Sequence, residues 1–185
     1  MKILGHRSPS PWTRREKLAR AAWVAVEATL FRLSPRPLHG WRRMLLRIFG
    51  ARIGGHDGPG ARIAPSARVH FPWNLTLEAG TMVGPGVRLY NLAPVALRRG
   101  ANLSQRVHVC AGTHDYNRWE MPLAARPVEI GENVWIAAEA FIGPGVRIGE
   151  LAVIGARSVV MRDIPARTIA AGNPCQPLRP RSEPV

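Results

Sequence analysis

The chain is poor in cysteine, in acid and in long apolar runs. Two cysteines, Cys110 and Cys175, occur in 185 residues. They imply no disulfide framework and suit a reducing compartment. The first apolar stretch, Ala21 to Phe31, carries Glu27. It is too short for a spanning helix, which needs about 20 apolar residues. No small-residue cleavage site stands behind it, so no signal peptide is read and a cytoplasmic location is expected. Acids number 12 against 26 Lys+Arg, for a net charge of +14. The shortage is local: residues 1–52 hold 12 basic side chains against 2 acids, and residues 53–185 hold 14 against 10. Such a segment is either a solvated basic face or a surface for anions, meaning acidic lipid, nucleic acid or phosphate-bearing ligands. The basic stretch shows no nucleic-acid recognition motif, so nucleic acid is not an expected partner.

What is present is a period of six. Isoleucine or valine falls at 130, 136, 142, 148, 154 and 160. A small or compact residue follows four places after each of the first five: Val134, Ala140, Val146, Ala152 and Ser158. Glycine comes directly after the aliphatic residue at 131, 143, 149 and 155. A period of six fits neither an α-helix nor a hairpin repeat. It is the signature of a parallel β-helix of hexapeptides, each hexad one short strand and a turn, with the aliphatic side chain inward.

The same period runs through Ile63 and Val69, Leu77 to Leu89, and Leu97 to Val109. Two eight-residue steps interrupt it, across HFPWNLT before Leu77 and across YNLAPVA before Leu97. If three hexads make one turn, both insertions stack on one edge and form a groove. The aliphatic-Gly pattern fails at Leu97-Arg98 and Leu103-Ser104, which puts charge where a corner glycine is common. Residues 111–127 fit no hexad, and a loop of that length in a strict solenoid is usually functional. It carries Thr113, His114, Asp115 and Tyr116 together. Histidine changes charge nearest neutral pH, which suits a general base, and a neighbouring polar group can fix its tautomer.

Three domains are expected: a basic helical segment 1–52, a β-helix 53–164 and a tail 165–185. Residues 1–12, with two Ser-Pro steps, read as poorly ordered. Thr13 and Glu16 form a capping box for a helix to about Leu33, with Trp23, Val26, Leu30 and Leu33 as its apolar stripe, widened by Val24 and Phe31 almost to a full circumference. A second helix is expected from Pro37 to Phe49, with Trp41, Leu45 and Ile48 on one side and Arg42, Arg43 and Arg47 on the other. The pair reads as a cap on the β-helix, as an amphipathic membrane contact through residues 13–49, or as both. Turn residues dominate the tail after Val160.

The repeat, the loop GTHDY, the tail DIPARTIAAGNPCQPLR, the stretch FPWNL and the helical LLRIFGARIG resemble the hexapeptide-repeat acyltransferases. Within them the likeness is closest to the colanic acid biosynthesis O-acetyltransferase branch. It implies a left-handed parallel β-helix, a homotrimer with sites between subunits, and acetyl-CoA as donor. On this resemblance His114 takes the proton from an acceptor hydroxyl, with Asp115 orienting it or the acceptor. Tyr90, Asn91 and Tyr116 match acceptor contacts. Trp135, Ala138, Ala156, Arg162 and Arg179 match donor contacts. The acceptor expected is a hydroxyl of a sugar or polysaccharide precursor, at the inner membrane face if lipid-linked. Trp73, Tyr90, Tyr116 and Trp119 are the rings that could stack on it. An antibiotic acetyltransferase shares the chemistry with a different acceptor. A membrane-surface scaffold needs no His114. A zinc carbonic anhydrase of the same fold needs three converging histidines; His108 and His114 lie six apart and His70 is distant, so no metal is expected.

Overall fold

The structure, a computed structural model, describes residues 12–54 and 59–182. Apart from Trp12, the expected disorder of residues 1–12 lies outside them. The hexads form a three-sided parallel β-helix. The first face carries Arg52–Ile53, Leu75–Leu77, Val95–Leu97, Val128–Ile130 and Arg147–Ile148. The second begins with Arg62–Ile63, Met82–Val83, Asn102–Leu103, Trp135–Ile136 and Val153–Ile154. The third holds Arg68–Val69, Arg88–Tyr90, His108–Cys110, Phe141–Ile142 and Val159–Val160.

Ile130 pairs with Ile148, Ile136 with Ile154 and Ile142 with Val160, so one turn is three hexads. All six are buried, as are Val134, Ala140, Val146, Ala152 and Ser158. Two side chains per hexad therefore fill one narrow column, and each strand borrows its backbone partners from the turns on either side. The arginine corner at 98–99 keeps this geometry. Arg98 bridges Glu78 and Glu129 across turns at 2.9 and 2.5 Å, and Gly100, one residue on, supplies the left-handed φ of 68°.

The tail is more ordered than its turn residues suggest. Thr168–Gly172 adds to the second face beside Val153–Ile154, and Cys175–Pro180 folds back antiparallel on it. This hairpin covers one end of the column.

Two helices cover the other end. Helix α1, Arg14–Val26, starts at the Thr13–Glu16 capping box and continues as a π-helical turn, Glu27–Phe31. Helix α2 is His39–Ile48. The wider π turn changes the buried stripe from the expected one. Trp23 and Phe31 are fully buried, whereas Leu30 and Leu33 face solvent, Leu33 at 79% exposure. A straight 3.6-residue period cannot anticipate that rotation.

The orientation of α2 also departs from expectation at its arginines. Arg42 is fully buried and bonds the carbonyls of Ile63, Pro35 and Arg36 and the Ser34 hydroxyl. Arg43 donates to Ala61 O and Arg47 to Ile53 O. Trp23 Nε1 donates to Val69 O at 2.5 Å, and Glu27 Oε1 accepts from Val69 N at 2.8 Å. The reason is physical: the first turn of a β-helix has no preceding turn to bond, and unpaired backbone groups are costly to bury. The helical side chains take the place of that missing turn. Among the described residues no helix is long and apolar enough to cross a membrane.

Candidate active site

Three insertions leave the edge between the third and first faces on three successive turns. They are residues 70–74, 91–94 and 111–127, and the first two stack as their spacing predicts. Asn91 joins them. Phe71 N donates to its Oδ1 at 3.0 Å, and its Nδ2 donates to Phe71 O at 2.6 Å. Asn74 Nδ2 reaches the carbonyls of Asn91 and Leu92 at 3.2 and 2.9 Å. Asn91 is fully buried. Its amide is engaged in holding the two bulges together, so it supports the groove instead of presenting its side chain to a ligand. Tyr90 remains partly exposed beside His70, ring centroids 5.0 Å apart.

The third insertion is a β-hairpin. Gly112–His114 pairs antiparallel with Leu123–Ala125, with His114 opposite Leu123. Its base bonds to the bulge above: Ala111 N to Tyr90 O at 2.9 Å, and Val128 N to Pro94 O at 3.0 Å. A Cβ at residue 112 would run into Leu92 Cδ1, so any side chain there would have to displace Leu92. His114 stands exposed, with its Nδ1 2.6 Å from Met121 O. A carbonyl can only accept, so Nδ1 carries a proton, and in the neutral ring Nε2 is the nitrogen that keeps the lone pair. Met121 has a left-handed φ of 42°, which turns its carbonyl back toward the ring. Among the described residues no hydrogen bond or ion pair joins the Asp115 carboxylate to His114. The Asp115 N–H donates to Pro122 O, and its Oδ1 accepts from Asn117 N, closing the hairpin tip. The orienting group is therefore the Met121 carbonyl, which no sequence pattern marks. Tyr116 and Trp119 project from the tip, at 81% and 100% exposure.

The opposite edge, between the second and third faces, has no insertion. Here Ala138 and Ala156 lie one turn apart: Arg157 N donates to Ala138 O, and Glu139 N donates to Gln105 O one turn above. The Ala138 N–H has no acceptor among the described residues. Trp135 lies on the second face nearby, 47% exposed, and its Nε1 donates to Ser104 Oγ at 2.9 Å. That serine was missed from the sequence because the long loop separates it from its partner by 31 residues. Glu139 binds Arg106 above and Arg157 below, and the Arg157 bond holds its carboxyl below the usual range. Arg162 is exposed on the loop-bearing edge, past Val160. Arg179 is exposed on the terminal hairpin, opposite Ile169.

The chain thus brings Trp135, Ala138 and Ala156 together on one edge, and Tyr90, Asn91, His114, Asp115 and Tyr116 on another. The third face stands between them. Among the described residues no group of three His, Cys, Asp or Glu converges as a metal site. His108 sits on the third face edge-on to Phe141, ring centroids 5.3 Å apart.

Residues 127–162 match the model of bacterial transferase hexapeptide (six repeats). The chain is 41% identical over 161 residues to "Putative colanic acid biosynthesis acetyltransferase WcaF" of Escherichia coli (strain K12), covering 87% of this chain and 86% of that protein. A maltose O-acetyltransferase from Clostridium difficile 630 superposes with a TM-score of 0.79 at 25% identity, covering 92% of this chain and 90% of the other. A hexapeptide-repeat acetyltransferase from Vibrio cholerae O1 biovar eltor, solved with acetyl-coenzyme A, superposes with a TM-score of 0.80 at 22% identity, over 94% and 93% of the two chains. The prism, its loop-bearing edge and these likenesses together make this chain a member of the hexapeptide-repeat acetyltransferases.

Proposed function

We propose that the protein transfers acetyl from acetyl-CoA to a hydroxyl of a sugar or polysaccharide precursor, with His114 as general base. The observation that carries this reading is the bond from His114 Nδ1 to Met121 O, which makes Nε2 the basic nitrogen of the neutral ring on an exposed hairpin. Nε2 takes the hydroxyl proton as the acceptor oxygen attacks the thioester carbonyl. The developing oxyanion meets the Ala138 N–H. Collapse expels the thiolate of CoA, which recovers the proton from His114. One acetyl ester and one free CoA result.

The pantetheine arm lies along Trp135, Ala138 and Ala156, and its nucleotide phosphates meet Arg179 and, from the loop-bearing edge of a facing copy, Arg162. Since His114 and Ala138 stand on different edges of one chain, a productive site needs the His114 edge of one copy against the Ala138 edge of another. A homotrimer, in which each copy offers both edges, provides this. The exposed Tyr116 and Trp119 at the hairpin tip support that pairing. Asp115 acts through the hairpin shape, and Asn91 through the bulges. Tyr90 and Tyr116 are the rings available to a sugar. The acceptor we favour is a lipid-linked precursor reached from the cytoplasm at the inner membrane face.

The test is acetyl-CoA-dependent release of free CoA across a series of sugars and glycolipids. Release with a carbohydrate hydroxyl, abolished in His114→Ala with CoA binding retained, is the expected result. Wild-type turnover in that variant overturns the mechanism.

A further inference from the structure

Helix α2 turns its arginines toward the β-helix and much of its apolar side toward solvent. Leu38, Trp41, Met44 and Ile48 recur at spacings that fall on one helical stripe, and all four are exposed, Ile48 at 68%. Trp41 Nε1 donates to Leu30 O at 2.9 Å, which brings exposed Leu30 alongside the same stripe. Between Leu30 and Leu38 the chain carries Arg32 and Arg36. Both are exposed, and neither forms an ion pair among the described residues.

The acids of this region offset them only in part, through the pull of the Glu27 carboxyl on Arg32, which it shares with Arg68 and Arg20. Glu16 is engaged in the helix cap. Glu27 accepts from Val69 N, and its burial raises its carboxyl above the ordinary range. The face therefore combines a tryptophan, aliphatic side chains and a surplus of positive charge. A second copy of this chain would bring the same charge and is a poor complement. An apolar partner protein leaves the arginines unmatched. A bilayer with anionic headgroups satisfies both features at once: acyl boundary for the apolar stripe and phosphate for the guanidinium groups.

We propose that this face docks the protein on an anionic lipid surface. Trp41, Met44 and Ile48 enter the headgroup boundary, and Arg32 and Arg36 meet lipid phosphates. The proposal deepens the reading of the acceptor as a precursor held at the membrane. Lipid binding and acetyl transfer to a soluble sugar are read separately, so failure of one is distinguishable from failure of the other.

The experiment is co-sedimentation of the full chain with phosphatidylglycerol vesicles and with phosphatidylcholine vesicles. Wild type should partition about tenfold more onto the anionic vesicles, with salt weakening the difference. Met44→Ser/Ile48→Ser and Arg32→Gln/Arg36→Gln should each lose about tenfold in partitioning. Because the altered side chains are exposed, gel filtration should show the wild-type size. In the wild type, anionic vesicles should also shift tryptophan emission to the blue, and Trp41→Phe should remove most of that shift. Equal binding to both vesicles, or variants that bind as wild type does, overturns the proposal. A change of oligomeric state in the apolar variant also overturns it, by showing that the face lies between copies.

Discussion

The two edges of the third face are built from the same hexads and have opposite characters. The edge bearing Ala138 and Ala156 keeps the repeat without insertion, and what it offers is backbone, methyl groups and a tryptophan clamped by Ser104. The edge bearing His114 breaks the repeat on three successive turns, and what it offers is two stacked bulges and a hairpin whose tip exposes aromatic side chains above a hydrogen-bonded base. Regularity suits a long ligand laid along a rigid surface. Irregularity suits a single side chain that must project beyond that surface. The difference shows how a solenoid gains chemistry: insertions accumulate where they stack, so one supports the next.

The largest expected effect comes from the irregular edge. His114→Ala should lower kcat by about 10²–10⁴-fold while CoA affinity by calorimetry stays at the wild-type value. A parallel loss of CoA affinity would erase the distinction between the edges. Asn91→Ala should act on stability. It leaves the Phe71 N–H and C=O without their partner, at about 2–3 kcal/mol, read as a fall in thermal midpoint. A change in KM for a soluble acceptor with no loss of stability would instead give Asn91 a direct ligand contact. On the regular edge, Trp135→Ala should raise KM for acetyl-CoA by about tenfold with kcat little changed, as expected when uniform binding is lost.

The smallest effect is on the face between the edges. Burial lowers the pKa of His70 and of His108, helped in the latter by Arg88. Both are therefore favoured neutral when folded. Their contribution is fully present above the ordinary histidine value of about 6.5 and is lost as pH falls from there through the folded values. Thermal midpoints should decline over that window, and His108→Gln should flatten the decline.

Much of the column was legible in the sequence because a parallel β-helix repeats its contacts. Ile130 to Val160 states the inward positions, and the two eight-residue steps state where the bulges stack. His114 was legible because it breaks that period. The Met121 carbonyl and Ser104 were not, since one is backbone and the other meets its partner only after the loop has closed. Asn91 was legible as a residue of the groove, but its burial depends on Phe71 one turn away. Arg42 was legible only as part of a basic side opposite Trp41, Leu45 and Ile48, because local periodicity cannot see the unpaired carbonyls at the end of a β-helix.

Whether the two edges meet across copies is tested most directly by mixing two inactive proteins. His114→Ala lacks the base, and Ala138→Trp blocks the donor edge; each alone should be inactive while folded. Co-refolded in equal amounts, they should recover about a quarter of wild-type turnover, because that share of interfaces joins an intact His114 edge to an intact Ala138 edge. No recovery from demonstrably mixed oligomers would mean that both edges serve a site within one chain, and would contradict the account.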